Sequence, residues 1–411
     1  MTGHRYDALV VGGGPAGAAV ARDVAGAGFT VAVLERDERI GYPVQCSGLV
    51  TRRTLERAGL DPNLALNPLF GATVHSPSGE RYELGGDRIH AYVMDRSRFD
   101  EAIMAQALEA GVELWTGTQV TRLVRRPGGV TIEARRGGCG VHFEARLVIG
   151  ADGPRSVVAS FLGLPEPAEF LRARGADVRL PRPQPRDEVQ LFAGARYGPG
   201  FFAWAIPLGD SRFRIGWGSS RGGSGTAYLR ALVSDHPQVF AGMEILSQTG
   251  GLIPLGPRPV TVGDHGLVVG DAAGQAKPTS GGGLYTSLVC AAHCAAAAVD
   301  ALRADDTSSA RLAAYDTRWR ADLGGELDRA AALRQVYREL SDEDLDWGLR
   351  WLQVPGIRLI VDRFGDIDYP SRLALVALRA APRLTRLLRR RPELIPALQT
   401  PATSQAFADG G

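Results

Sequence analysis

Residues 6–35 limit the fold more than any other part of the chain. An apolar run of strand character at 6–11 leads straight into Gly12-Gly13-Gly14-Pro15-Ala16-Gly17, which places G-x-G-x-x-G at Gly12, Gly14 and Gly17. A helical run follows at 16–27, then a second strand at 30–34 that ends in Glu35. This order predicts a strand–turn–helix–strand unit of a parallel sheet with a dinucleotide on the turn. Gly12 permits the tight turn, Gly14 lets a pyrophosphate approach the backbone, and Gly17 lets helix and strand pack closely. Glu35 stands about 20 residues on, where a carboxylate accepts hydrogen bonds from ribose hydroxyls. An acid there disfavours a 2′-phosphate, so the motif indicates FAD or NAD rather than NADP. A chance glycine-rich turn in an ordinary α/β domain is the competing explanation. It does not account for strand, glycines, helix, second strand and acid standing in order.

A second glycine-rich stretch decides between the two nucleotides. Residues 270–284 read Gly-Asp-Ala-Ala-Gly-Gln-Ala-Lys-Pro-Thr-Ser-Gly-Gly-Gly-Leu, after an apolar strand at 266–269 and before an Ala-rich helix. Such a turn aims backbone N–H groups at an anionic or electron-rich ligand. Asp271 can accept hydrogen bonds from ribitol or ribose hydroxyls. With the N-terminal motif, this points to flavin. Lys277 is the only lysine among 47 Lys and Arg residues. It either steadies the pyrimidine edge of a flavin or a lipid head group, or is a solvated loop residue.

The whole chain reads as α/β: a Rossmann-like, discontinuous FAD-binding domain at 1–65, 95–164 and 257–300, an inserted β-rich substrate domain at 66–94 and 165–256, and a helical C-terminal region at 301–401. A Pro/Arg linker is expected at 180–186 and a disordered tail at 402–411. The 411 residues are enough for two domains, and 45% hydrophobic content suits a globular chain. A net charge of +2 gives no general electrostatic case for nucleic acid. No signal peptide is expected, nor an apolar run long enough to span a membrane. Cys46, Cys139, Cys290 and Cys294 form no zinc pattern. Cys290 and Cys294 read as small core residues of one helix, and a reduced cytoplasm is the expected compartment. The seven histidines show no metal or triad spacing.

Three local signatures add a family resemblance: Gln45-Cys46-Ser47-Gly48, Pro199-Gly200-Phe201-Phe202-Ala203-Trp204-Ala205-Ile206-Pro207, and the Lys-Pro-Thr-x-Gly-Gly-Gly text of the second loop. Together with the turn Ala151-Asp152-Gly153, they make the chain resemble the geranylgeranyl reductase family, within the p-hydroxybenzoate-hydroxylase-like flavoproteins, over about residues 5–300. The resemblance implies FAD contacts at Ala16, Glu35, Cys46, Ser47, Gly48, Arg96, Val120, Asp271, Gly282, Gly283 and Leu284. Arg96, in an R-x-x-F-D helix start, would meet the pyrophosphate. Asp152 would order the loop beneath the cofactor. Two positions depart from the family pattern: Phe202 replaces a tyrosine and Ile206 a phenylalanine. The result lies partway to the W-x-W-x-I-P of flavin-dependent halogenases, but those need a lysine early in the chain, and none precedes Lys277.

The implied reaction is saturation of isolated C=C bonds in a prenyl chain of an ether lipid, geranylgeranyl diphosphate or prenyl quinone, with reduced flavin N5 giving a hydride. Phe201, Phe202, Trp204, Ile206 and Pro207 either line an apolar tunnel over the flavin or form a plain buried sheet face. Cys46 is either a proton donor or positioning thiol, or a small residue tolerated in a tight loop. The electron donor is NAD(P)H or reduced ferredoxin. The Arg-rich run 371–398 is either a basic amphipathic helix that touches a membrane or a packed helix with a solvated basic face. Two other functions remain open: a monooxygenase of the same fold, and a non-catalytic flavin- and lipid-binding protein.

Overall fold

The computed structural model of the chain describes residues 4–182 and 184–371. The expected tail at 402–411 and, apart from Ser371, the basic run 371–398 lie outside the described residues.

Strand His4–Val11 forms the middle of the first sheet. It pairs in parallel with Val31–Leu34 on one side and with Cys139–Gly150 on the other. Glu113–Trp115 extends the first edge and Gly266–Val268 the second, both in parallel. In register, Val11 lies opposite both Leu34 and Gly150, and Gly150 lies opposite Val268. The loops at Gly12, Glu35, Ala151 and Gly270 therefore leave the sheet at one edge, the carboxyl ends of its strands, where α/β sheets bind nucleotides. Both faces are covered, as the near-continuous apolar strand predicts. Ala8 and Val10 pack under the helices Pro15–Gly26, Arg96–Glu109 and Leu284–Arg303. Leu9 and Val11 face a second core with Leu34, Ile132, Phe143 and Val148. That side is roofed by the antiparallel hairpin Thr118–Arg126/Gly129–Arg136 and the helix Val157–Leu162.

The second sheet has seven strands, in the order Glu244–Leu255, Glu169–Arg179, Arg212–Ser219, Phe202–Gly209, Glu188–Ala193, Gly71–His75, Arg81–Gly85. All neighbours are antiparallel except Glu188–Ala193 with Gly71–His75. Residues 71–85 thus share a sheet with 169–255, across the first-sheet segments that separate them in sequence. Leu49–Val50, Ala91–Met94 and Ala65–Leu69 form a small third sheet between the two.

Beyond the second loop the described chain is helical, with Ser309–Trp319, Gly325–Glu339, Asp342–Arg350 and Pro355–Phe364. One expectation is corrected here. Helix Leu284–Arg303 has 20 residues and is long and apolar enough, by length and composition, to cross a membrane. It is instead a core helix: Cys290, Ala291, Cys294 and Ala298 have no exposed surface. Burial raises both thiols well above their ordinary range.

Candidate functional site

The first wall of the site is the N-terminal turn. Gly12 has φ +102°, and a Cβ there would lie 2.3 Å from the Ala151 carbonyl oxygen, so only glycine fits. A Cβ on Gly17 would lie 2.1 Å from the Gly12 carbonyl oxygen, whereas one on Gly14 would meet nothing within 4 Å. The strand and helix are therefore locked together at Gly12 and Gly17, and space is left open only at Gly14. Helix Pro15–Gly26 starts there with no side-chain cap and no acidic residue in its first turn. Its amide groups and the positive end of its dipole are free for an anion. Ala16 packs against the turn at Gly270, where a Cβ would sit 3.2 Å from the Ala16 methyl. The two glycine-rich loops are thus neighbours. The Glu35 carboxylate accepts from Gly13 N (2.7 Å) and Asp37 N (2.9 Å), which aims it across the turn.

Asp152 serves the loop itself. Its Oδ2 accepts from the amides of Val157 (2.7 Å) and Val158 (3.3 Å), and its Oδ1 is buried without a hydrogen-bond partner among the described residues. Burial raises its pKa, against these hydrogen bonds. Val120 is buried beside Leu34 and Val11 in the second core.

Charged groups gather at the other wall. Arg96 opens a helix capped by Asp95 and is bound through its guanidinium to Asp100 one turn on, at 2.8–3.1 Å. Burial works against its charge, but Asp100 and then Cys46 more than offset this, and the guanidinium stays protonated beyond its ordinary range. Burial raises the Asp100 carboxyl, with Arg96 opposing. Asp271 has no side-chain hydrogen-bond partner among the described residues, and burial pushes it up to about 6, with Arg96 pulling the other way. Arg96 thus interacts electrostatically with Asp100, Asp271 and Cys46.

The Cys46 loop is clamped from two sides. Gly48 has φ +80°, and a Cβ on it would lie 2.5 Å from the Met94 carbonyl oxygen; its own carbonyl accepts from Met94 N at 2.8 Å. Arg214 donates to the Cys46 carbonyl (3.1 Å) and pairs with Asp177 at 2.7 and 2.9 Å. Ser47 accepts from Leu49 N at 3.5 Å.

The aromatic signature forms a face of the second sheet. Phe201 lies just before the strand Phe202–Gly209, which alternates over Phe202–Ile206 before its register shifts between Pro207 and Gly209. Phe202, Trp204 and Ile206 point to one face, while Ala203 and Ala205 point to a separate core with Phe192 and Ile215. Pro207 shares the parity of Ala203 and Ala205. The Phe201 and Phe202 rings stack at 4.2 Å, and Trp204 meets Phe202 edge-on at 5.9 Å. The rings have room because glycines lie beneath them: a Cβ on Gly216 would fall 2.3 Å from Trp204 Cζ2, and one on Gly218 2.7 Å from Phe201 Cδ1. Trp204 Nε1 has no partner among the described residues. The second loop abuts this face, since a Cβ on Gly281 would lie 3.2 Å from Ile253 and 3.6 Å from Phe201.

Several residues here carried no sequence signal. Arg334 donates to the Gly200 carbonyl (3.2 Å), pairs with Glu169 (2.7 Å) and lies 5.4 Å over the Phe201 ring. Tyr337 donates to the Phe201 carbonyl at 2.7 Å. Both come from helix Gly325–Glu339, more than 130 residues away, with no motif to link them. Lys277 is buried, which removes its reading as a solvated loop residue.

The residues present fit FAD. Gly14 leaves space before an uncapped helix, Glu35 faces that turn, and Asp271 is a buried carboxylate awaiting donors such as hydroxyls. Residues 5–230 match the FAD binding domain family. The chain is 34% identical to digeranylgeranylglycerophospholipid reductase 2 of Methanopyrus kandleri over 360 residues, covering 83% of this chain and 89% of that protein. It is 31% identical to digeranylgeranylglycerophospholipid reductase 2 of Methanothermobacter thermautotrophicus over 386 residues, 90% of this chain and 99% of that one. The fold is similar to that of a geranylgeranyl bacteriochlorophyll reductase-like protein from Thermoplasma acidophilum, with TM-score 0.84, 23% identity, and coverage of 96% of this chain and 100% of that one. The flavin-dependent brominase Bmp2, as a triple mutant, has the fold at TM-score 0.70 and 17% identity, over 95% of this chain and 100% of its own. The chain is an FAD-dependent oxidoreductase and belongs to the digeranylgeranylglycerophospholipid reductase family.

Proposed function

We propose that this enzyme saturates isolated C=C bonds in the geranylgeranyl chains of a glycerophospholipid. The observation that carries the reading is the contact between the second glycine-rich loop and the aromatic sheet face at Gly281, Phe201 and Ile253. It places an apolar, ring-lined surface against the loop assigned to the flavin. The names of the relatives supply the substrate class.

Reduced FAD, when bound, supplies the hydride. Gly12, Gly14, Ala16, Gly17 and Glu35 would hold its ADP half. Cys46–Gly48, Arg96, Asp271 and Gly282–Leu284 would hold the remainder, with Asp152 and Val120 supporting the floor. Phe201, Phe202, Trp204 and Ile206 exclude water and align the alkene. The Cys46 thiol gives its proton to the second alkene carbon, and the Arg96 cation balances the charge left on sulfur. NAD(P)H or reduced ferredoxin returns the electrons. We further propose that the enzyme works in the cytoplasm, drawing lipid from a membrane that the basic run 371–398 contacts. The four cysteines are free thiols, in keeping with a reducing compartment.

The test is anaerobic. The flavoprotein is reduced with dithionite and mixed with a geranylgeranylated phospholipid. Flavin reoxidation, with a gain of two hydrogens per double bond in the lipid, is expected. A flavin that stays reduced until oxygen is admitted, and then hydroxylates a substrate, would establish a monooxygenase instead.

A further inference from the structure

The chain uses arginine almost everywhere, yet position 277 is lysine. Its environment explains this. The side chain is 5% exposed; its ammonium donates to the Ile367 carbonyl at 2.7 Å and to Asp368 Oδ1 at 3.3 Å. Its Cε runs under the glycine turn, 3.2 Å from where a Cβ on Gly282 would lie. Two acceptors satisfy a compact ammonium here, whereas a planar guanidinium would bring five donors to them. Lys277 also closes the turn through its backbone: Lys277 N donates to Gly282 O at 3.0 Å, and Gly281 N donates to Lys277 O at 2.8 Å.

Asp368 is 2% exposed and faces two ways. Its Oδ2 accepts from Thr51 Oγ1 at 2.6 Å. Thr51 caps the helix Arg52–Ala58, which follows directly on the Cys46–Val50 segment. On that same helix, Arg53 binds the neighbouring Asp366 at 2.8 Å and lies 3.9 Å from Asp368. One carboxylate from the C-terminal segment thus joins the helix that follows the Cys46 loop to the Lys277–Gly283 turn, two segments assigned to the flavin.

We propose that Lys277 and Asp368 are positioning residues, a buried clamp that fixes the distance between these two loops and thereby the seat of FAD. The clamp rests on the assignment of both loops to the flavin. Neither residue touches the reacting atoms. The ion pair acts through the turn: with it intact, the Gly282–Leu284 backbone is held at the flavin, and without it the turn is free to move away.

The test reads FAD release from the holoenzyme by recovery of flavin fluorescence on dilution, alongside thermal unfolding, for Lys277→Met, Asp368→Asn, the double variant and Lys277→Arg. Each single variant leaves a buried charge without its partner and loses stability, and the double variant, with both charges gone, recovers most of it. FAD affinity does not recover: it stays about tenfold or more below wild type in the singles and in the double variant alike. Lys277→Arg also weakens FAD, although arginine serves at every other basic position. Recovery of FAD affinity together with stability in the double variant would reduce the pair to a structural role. Wild-type affinity in well-folded single variants would overturn the clamp outright. Release is measured without lipid, so a failure of the prenyl-reductase reading leaves this result standing.

Discussion

Two alanine substitutions in one motif should fail in opposite ways. Inside a helix, glycine to alanine ordinarily stabilises by about 1 kcal/mol. Gly17 is such a position, but its Cβ would sit 2.1 Å from the Gly12 carbonyl oxygen, far inside the 3.4 Å at which ordinary contact begins. The oxygen it meets is backbone, so relief requires the helix to move off the sheet. Overpacking costs about 1–3 kcal/mol where side chains can yield, and more where they cannot. Gly17→Ala should therefore lose about 2 kcal/mol or more, reversing the usual sign. Gly14 has φ −70° and ψ 177°, open to alanine, and its Cβ meets nothing. A small loss of N-cap propensity and a small gain from the stiffer unfolded chain, each below about 1 kcal/mol, nearly cancel. The new methyl instead enters the space left for the pyrophosphate and should weaken FAD at least about tenfold, or roughly 1.4 kcal/mol. Thermal unfolding of the FAD-free protein by circular dichroism, with FAD titration by fluorescence quenching, separates the two effects. A Gly17→Ala protein more stable than wild type would refute the close-packing argument. A Gly14→Ala protein that binds FAD within twofold of wild type would refute the pyrophosphate path.

Three further outcomes are expected. Cys46→Ala should keep FAD but lower the rate of lipid-driven flavin reoxidation; full activity removes the thiol as proton donor, and Glu35→Ala run beside it should instead lose FAD on gel filtration. Asp271 is raised to about 6 in the folded protein from 3.8, chiefly by burial. The fold therefore holds a proton that the unfolded chain has released, and the stability of the FAD-free protein should fall by on the order of 2 kcal/mol as pH rises from about 4 to above 6. Asp271→Asn should flatten that limb in denaturant titrations at stepped pH. Gly216→Ala would place a Cβ 2.3 Å from the Trp204 ring; it should cost about 1–3 kcal/mol and displace the tryptophan, slowing lipid reduction with FAD content unchanged.

What the sequence made legible was local. The strand–turn–helix at 6–27 appears as His4–Val11 and Pro15–Gly26, because glycine spacing, apolar run and helix start all act within a few residues. The same holds for the strand Ala91–Met94 and the turn at 270–274. What stayed hidden depends on pairing across the chain. Arg214 holds the Cys46 carbonyl from 168 residues away, and Asp368 reaches Lys277 across 91. Neither side chain lies in a motif, and each is an ordinary charged residue until the fold supplies its partner.

The aromatic signature shows why the boundary falls there. Its text reads as Phe, Phe, Trp and Ile at neighbouring positions, and the adjacent phenylalanines break the period-two pattern of a strand. The fold resolves this by ending the turn at Phe201 and starting the strand at Phe202. The rings can lie on the sheet only because Gly216, directly opposite Trp204, and Gly218 have no side chains. Those glycines read locally as weak points in a strand. Their value appears only with the register between Phe202–Gly209 and Arg212–Ser219, which places each bare backbone under an aromatic ring. The side chains proposed to touch substrate are thus named by one segment, and their arrangement is set by a neighbouring strand. A motif alone identifies the first and is silent on the second.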